Sequence, residues 1–267
     1  MRNALLLYLR YIAVSVRGQM QYRASFVMLA AGYFLMTGLD FAALWVLFDH
    51  FGSIQGWTLP EVALLYGLVN IAFALAESTA RGFDTFGTWV KSGNFDRLLL
   101  RPRSTVLQLA GQELHLLRIG RFLQGLAVLL WSQYALEVAW TAATAALVLG
   151  AILGGVGLFI GLFILQATLA FWTTEGLEIA NVLTNGGTET AQYPLVIYPR
   201  WFRCFFTYVV PLAGITYFPA LAILNRADPL GSAAWMHWLS PLAGMAFLLM
   251  SLRVWSFGVR HYRSTGS

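Results

Sequence analysis

Six apolar runs constrain the fold of this 267-residue chain more than any other feature. They occupy residues 26–48, 62–80, 122–134 with the preceding flank, 141–172, 205–224 and 239–258. A helix needs about 20 apolar residues to cross a hydrocarbon core of roughly 30 Å. The runs are solid rather than alternating, which disfavours a membrane-spanning β-barrel. We therefore predict an all-α integral membrane protein with six transmembrane helices.

Basic residues cluster beside some of these runs and avoid the connections between others. Of the 17 Lys and Arg residues, four precede the first run, seven lie between the second and third, and three lie in or after the last. The connections at 49–61 and 137–141 contain none. Because short loops rich in Lys and Arg stay on the cytoplasmic side, this pattern predicts a multi-pass protein with both termini in the cytoplasm.

The same charges, and several absent motifs, restrict the function. The basic residues flank the apolar runs, where anionic lipid explains them, so we expect no nucleic-acid partner. Cys204 is the only cysteine and the four histidines are scattered, so neither a disulfide nor a metal site is predicted. The sequence has no GxxxxGKS/T, HExxH or GxSxG motif. We therefore expect no catalytic residue and no P-loop ATP site on this chain.

Residues 1–24 have the pattern of an amphipathic helix. Leu5, Leu9, Ile12 and Val16 recur at helical spacing, and arginines and glutamines flank them. We predict a helix lying on the cytoplasmic membrane surface, the alternative being a basic N-terminus without stable structure. Residues 25–267 then form a single transmembrane domain.

Asp40 is a carboxylate inside the first apolar run. A charge at that depth costs several kcal/mol unless protein or water covers it. Asp40 therefore either lines a pathway or faces a partner, or it accepts a hydrogen bond from a neighbouring helix; the sequence favours neither.

The loop at about 81–105 combines aromatic and basic residues. Phe83, Phe86, Trp89 and Val90 share one face of a short helix, Gly93-Asn94 is a turn signal, and a second short apolar piece ends at Pro102. Such a loop either lies on lipid or docks a soluble partner, and composition favours lipid.

The beginning of the third run carries charges. Glu113, His115, Arg118 and Arg121 lie in this half, where Glu113 can pair with either arginine. We interpret this half as a solvated helical extension in preference to a proton relay.

The fourth run contains a stripe of small residues. Gly150, Gly154, Gly157 and Gly161 share one helical face, which allows another helix to approach closely. We predict a packing seam, within the fold or between protomers, and no ligand site.

Residues 173–203 are too polar for an ordinary lipid-facing helix, and two topologies are compatible with them. In the first, 173–203 is cytoplasmic and 205–224 is the fifth span. In the second, 173–197 spans the membrane while shielded from lipid, and 200–224 is an external, partly re-entrant element rich in proline. Both place the two termini on the same side.

Two segments resemble a known family. Residues 92–104 read SGNFDRLLLRPRS, and residues 193–203 read YPLVIYPRWFR, followed by Pro211-Leu212 and by YFPAL at 217–221. With the basic N-terminal helix and six runs, they resemble the permease subunits of type-2 (ABC-2 class) ABC transporters, in particular a bacterial branch of export permeases. The resemblance covers nearly the whole chain.

The resemblance implies a permease of the bacterial cytoplasmic (inner) membrane that exports its substrate. It implies pairing with a second permease as a homo- or heterodimer, and binding to cytoplasmic ATPase subunits that hold ATP and Mg²⁺. It also implies the re-entrant topology and a coupling role for the first cytoplasmic loop, by residues Phe83, Phe86, Trp89, Phe95, Asp96 and Arg97. The candidates for the translocation pathway are Asp40, Asn70, Glu77, Glu175 and Glu178.

The alternative function is an ion-coupled secondary transporter. It requires an ionisable pair at mid-membrane depth, and Asp40 is the one acid well inside a strong run, with no base evident opposite it. A membrane-embedded enzyme requires clustered histidines or carboxylates at one depth, which the sequence lacks. A structural protein without transport activity is compatible with the sequence.

Overall fold

The computed structural model describes residues 2–111, 115–173 and 177–262, with side chains described for 11–111, 115–173 and 182–262. Two residues singled out above, Glu113 and Glu175, lie outside the described residues. Glu178 lies in a described helix, but its side chain is outside the described set. Within the described ranges the chain is helical and forms no β-strand.

The described residues form helices of very different lengths. The α-helices are α1 Arg2–Gln19, α2 Arg23–Phe51, α3 Leu59–Asp84, α4 Phe86–Lys91, α5 Asn94–Leu99, α6 Thr105–Ala110, α7 Ile119–Ala135, α8 Ala142–Leu169, α9 Leu177–Ala191, α10 Arg200–Cys204, α11 Tyr217–Ile223, α12 Ala234–Leu239 and α13 Pro241–His261. Short 3-10 helices occupy Met20–Tyr22, Leu116–Arg118, Leu195–Ile197 and Leu212–Gly214, and a π-helical turn occupies Phe205–Val209.

Four helical stretches of the described chain are long and apolar enough to cross a membrane. They are Tyr11–Phe51, Leu59–Lys91, Ala142–Leu169 and Pro241–His261. Arg200–Val209 and Leu212–Ile223 would make a fifth if they were one broken span, but they are bent by 72°. The chain is therefore a multi-pass helical membrane protein. The count of six spans is not confirmed, because α7 and α9 have only 17 and 15 residues.

Helix α3 lies at the centre of the bundle. Its first turn is capped, because the Thr58 amide donates a hydrogen bond to the Glu61 carboxylate at 2.7 Å. Pro60 lies in this first turn, where a backbone N–H would have no partner within the helix. Nearly every side chain from Val62 to Ala76 is buried, against α7 on one side and α8 on the other. A helix that other helices cover on several sides has apolar residues on all of its faces. This explains why the sequence at 62–80 is apolar without interruption.

Helices α8 and α13 pack closely along the glycine stripe. A Cβ at Gly154 would overlap the carbonyl oxygen of Pro241, and a Cβ at Gly157 would lie 2.8 Å from the Met245 Sδ. At Gly161 it would lie 2.8 Å from the Phe247 ring, whereas at Gly150 the nearest atom is 3.9 Å away. The structure thus places the stripe against α13 within one chain, and three of its four glycines are where backbones approach most closely.

The segment between α9 and α13 enters and leaves the bundle at one end, the end formed by the α2–α3 connection at residues 52–58. Its first part, α10, lines a cavity together with Phe218 and Asp228. Its last part returns to the same end, where Arg226 donates to the Glu61 carboxylate at 3.1 Å and to the Gly56 carbonyl at 2.9 Å.

Between these two parts the chain turns around near the middle of the bundle. A Cβ built on Gly155, halfway along α8, would lie 3.3 Å from Ile215 Cδ1. The bend falls at Val210 and Pro211, and proline has no amide hydrogen with which to continue a helix. Residues 205–224 are therefore not one straight helix, and both topologies, a broken fifth span and a re-entrant element, contain such a bend.

Candidate functional site

The loop predicted to contact a partner folds into a block of three short helices, α4, α5 and α6, which we call the coupling block (residues 86–110). The chain enters it from α3 after a kink at Ala80, where φ is −121° and ψ is 16°. Gly93 adopts a left-handed conformation with φ of 67°, which glycine reaches without strain, and this turn separates α4 from α5. Pro102 lies in the irregular stretch between α5 and α6.

An aromatic cluster joins the coupling block to the long helices. The Phe86 ring of α4 contacts Phe95 of α5, Phe171 after α8 and Trp255 of α13, at centroid distances of 4.9, 5.2 and 5.0 Å. Phe83 at the end of α3 contacts Trp255 at a centroid distance of 5.5 Å. Their rings meet edge to face, an arrangement that aromatic pairs prefer. One rigid cluster thus connects the block to α3, α8 and α13.

Polar contacts hold the same junction. Trp255 donates its indole N–H to the Thr105 hydroxyl of α6 at 3.0 Å. Gln108 donates to the Arg103 carbonyl at 3.2 Å, which ties α6 to the stretch before it. On α8, Gln166 donates to the Asp84 carboxylate at 3.1 Å, and Asp84 also pairs with Arg81. The block is therefore fastened to the spans on several sides.

Burial corrects part of the sequence-based interpretation of this loop. Phe83 and Phe86 were expected on an apolar face with Trp89 and Val90, and Phe95 was a predicted coupling residue. All three phenylalanines are fully buried in the aromatic cluster. They have no surface left with which to touch lipid or a second protein. Trp89 and Asp96 are partly exposed, and Arg97 is exposed. Of the predicted coupling residues, only these three can contact a partner directly.

The exposed edge of the coupling block includes two leucines that the sequence analysis did not select. Leu100 is 84% exposed and Leu99 is 40% exposed, next to the fully covered Leu98. The same block carries four exposed basic side chains, three of them within three positions of Leu100: Lys91, Arg97, Arg101 and Arg103. Three successive leucines point in different directions on a helix, so a single helical face can bury only one of them. That signal was present in the sequence.

A second group of polar side chains lies between α3 and α7. Glu77 pairs with Arg118, whose guanidinium also lies 4.4 Å from the Tyr33 ring centroid of α2. Asn70, two turns earlier on α3, accepts a hydrogen bond from Arg121 Nε at 2.8 Å. We call Asn70, Glu77, Arg118 and Arg121 the polar seam.

The polar seam changes the interpretation of the third run. Arg118 and Arg121 do not belong to a solvated extension, because both face neighbouring helices and find partners there. Charged groups buried at an interface are stable when paired in this way. Two pathway candidates, Asn70 and Glu77, are buried in the seam.

Asp40, the remaining described pathway candidate, lies elsewhere. Its side chain is exposed on the outer surface of α2, between exposed Leu39 and half-exposed Phe41. Within the described side chains, neither a hydrogen bond nor an ion pair joins it to another helix, so the internal hydrogen bond considered above is not formed. The structure thus buries Asn70 and Glu77 in the polar seam and leaves Asp40 exposed on α2, where it acts only electrostatically on Arg121 and Tyr66.

The chain matches a family of known proteins along most of its length. The family model described as ABC-2 family transporter protein covers residues 34–266. This range includes most of α2, the coupling block, the polar seam and the bent segment at 200–223. No curated protein and no solved structure matches the chain.

Proposed function

This chain belongs to the ABC-2 family of transporter proteins, and we propose that it is the permease of an ATP-driven exporter whose ATPase subunits are separate chains. ATP and Mg²⁺ then bind to those subunits, in keeping with the missing P-loop motif on this chain. The permease contributes contacts that differ between two conformational states, and it carries out no chemical step itself.

The observation that carries this proposal is the position of the aromatic cluster between an exposed edge and three long helices. Leu100 and the neighbouring basic residues offer an apolar anchor within a positive rim, as protein interfaces often do. Behind that edge, the rings of Phe86 and Phe95 contact those of Phe171 and Trp255. Because packed aromatic cores transmit displacement rather than absorb it, movement of the coupling block would tilt α8 and α13.

We propose six spans, namely α2, α3, α7, α8, α9 and α13. Helix α7 is about 25 Å long at 1.5 Å per residue, enough for a span that neighbouring helices partly cover. With the basic coupling block in the cytoplasm, both termini are cytoplasmic and residues 52–58 face outward. The segment 200–224 is then an external re-entrant element, and Arg200 and Arg203 lie outside.

We propose that a second permease, identical or related, covers α2. This helix exposes a continuous apolar surface that includes Met28, Leu35 and Met36, and Asp40 lies on the same helix. A carboxylate at that depth requires protein or water around it, so lipid alone does not suit this face. A pathway between two permeases would surround Asp40 with both protein and water.

Affinity purification of this chain from its native membrane, followed by mass spectrometry, tests the proposal. The expected result is recovery of a P-loop ATPase, either with a second six-span chain or with this chain as a dimer. Repeated recovery of the chain alone, with folding verified, would contradict the proposal and favour the ion-coupled alternative. An ATPase recovered equally well with a chain lacking the exposed leucines would contradict the assignment of the coupling edge.

A further inference from the structure

A cavity of about 430 Å³ lies between the π-helical turn after α10 and the loop at 226–233. Arg200, Arg203 and Thr207 line one side, and Asp228 and Ser232 line the other. Its volume is within the range of small-molecule sites in proteins. In the proposed topology the cavity opens outward, so this inference rests on that topology.

The two arginines of this cavity outnumber its one acidic residue. Within the described side chains neither Arg200 nor Arg203 forms an ion pair, and Asp228 is the single acidic residue of the lining. They also lie on the side of the membrane where basic residues are normally scarce. Two arginines on the outer side, neither of them in an ion pair, are therefore not explained by the preference of basic residues for cytoplasmic loops.

Asp228 offsets only one of the two positive charges, and its oxygens accept hydrogen bonds from groups other than the arginines. Oδ1 accepts from the Tyr217 hydroxyl at 2.7 Å and from the Leu230 amide at 3.0 Å, and Oδ2 accepts from the Ser232 amide at 3.2 Å. Although burial raises the pKa of Asp228, these donors from Ser232, Tyr217 and Leu230 hold it below its ordinary value. The carboxylate is thus a fixed support of the loop.

Four polar groups of the cavity lining can donate hydrogen bonds to a ligand. They are the guanidinium groups of Arg200 and Arg203 and the hydroxyls of Thr207 and Tyr208. Guanidinium groups bind phosphate oxygens through paired, charge-assisted hydrogen bonds. A group that carries several acceptor oxygens and negative charge complements this lining best.

The remaining wall of the cavity is apolar. Leu195, Phe218 and Met236 supply it, and the adjacent Trp201 and Tyr208 are 71% and 76% exposed. Exposed aromatic residues of this kind are typical of the membrane–water interface. The cavity therefore combines a positive, donor-rich side with an apolar side next to the lipid headgroups.

We propose that this cavity is a binding site for the phosphate group of an amphiphile, held by Arg200 and Arg203 with the apolar part against Leu195 and Phe218. A phospholipid headgroup and a soluble phosphate compound share this chemistry. The site would receive such a molecule at the outer face, either as a bound lipid or as the exported substrate.

Cys204 provides the measurement, because it is the only cysteine of the chain, is exposed and lines the cavity. The rate at which a membrane-impermeant maleimide modifies Cys204 would be measured on the purified full-length chain in nanodiscs, with any subunit that co-purifies. The probes are short-chain phosphatidic acid, inorganic phosphate, and a neutral alkyl glucoside of similar chain length.

We expect phosphatidic acid to slow the modification several-fold, and the alkyl glucoside to leave it unchanged. In the Arg200→Gln/Arg203→Gln variant the protection should be lost, whereas Arg260→Gln, at the other end of the molecule, should keep it. Protection by inorganic phosphate as well would identify a soluble phosphate as sufficient; protection by the lipid alone would identify a headgroup site.

Two results would overturn the inference. One is that no phosphate compound protects Cys204 in the wild-type chain; the other is that the double arginine variant is protected equally. Labelling of Cys204 in intact cells separates this failure from failure of the topology. If the reagent reaches Cys204 only after the cells are opened, the proposed orientation is wrong, whatever the protection experiment gives.

Discussion

The Trp255 ring on α13 lies 5.0 Å from the Phe86 ring on α4, centroid to centroid, and donates its indole N–H to Thr105 on α6 at 3.0 Å. One tryptophan thus joins the last long helix to the first and third helices of the coupling block. Both rings are buried. The connection between the block and the membrane bundle is therefore a packed interface and not a flexible tether.

Phe86→Ala should loosen this interface. Removing a buried aromatic ring leaves a cavity and costs about 3–5 kcal/mol in soluble proteins. We expect a lower melting temperature of the permease and little stimulation of its ATPase when the two are reconstituted. Phe86→Leu, which refills much of the volume, is the matched control and should retain most of both properties. Equal stimulation by the alanine and wild-type forms would contradict transmission through this cluster.

Leu100→Glu should separate partner binding from folding. The side chain is 84% exposed, so its replacement should change stability by no more than about 0.5 kcal/mol. We expect the variant to fold normally and to lose the ATPase in affinity purification. Leu230→Glu, in the loop at 226–233 far from the coupling block, makes the same chemical change and should retain the ATPase. Retention by both variants would show that the partner contacts another surface.

Gly154→Leu should disrupt the α8–α13 seam, because even a Cβ at this position overlaps the Pro241 carbonyl. We expect strong destabilisation, measured as the melting temperature in detergent. Gly150→Ala is the control on the same stripe, since its new methyl group would have 3.9 Å to the nearest atom. It should be tolerated and, by favouring helix, can even raise the melting temperature. Equal effects of the two substitutions would contradict the close approach at Gly154.

Glu77→Gln should destabilise the polar seam by leaving Arg118 without its acidic partner. Breaking one side of a buried ion pair costs about 3–5 kcal/mol, and replacing both partners recovers part of that cost. We therefore expect Glu77→Gln/Arg118→Met to melt at a higher temperature than Glu77→Gln alone. A pathway role for Glu77 predicts the opposite pattern, with unchanged stability and lost transport.

The membrane class and the main helices follow from local sequence. The solid apolar runs at 26–48, 62–80, 141–172 and 239–258 each coincide with a helix long enough to span. Thr58, Pro60 and Glu61 form the cap and first turn of α3, a pattern of residue types contained in a few neighbouring positions. These features depend on spacing and composition within one segment, which is why they could be predicted without knowledge of the neighbours.

The candidate site could be predicted only in outline. The sequence located the coupling block and its short helices, but it selected Phe86 and Phe95 as coupling residues, and both are in fact buried. It also placed Arg118 and Arg121 in solvent, because their partners Glu77 and Asn70 are about 40 to 50 positions away in the chain. Burial and pairing depend on which helix lies opposite, and helical periodicity does not contain that information.

By itself, the sequence determined that this chain is a helical membrane protein with a basic loop after its second apolar run, and its motifs already resembled the family to which it belongs. These properties are set by hydropathy, charge and short motifs, each of which is a local quantity. Only the tertiary structure decided that residues 200–223 bend by 72° next to Pro211, that the glycine stripe faces α13, and that the loop aromatics point inward. Those outcomes are set by close packing between segments distant in the chain, where the fit of one backbone against another selects a single arrangement.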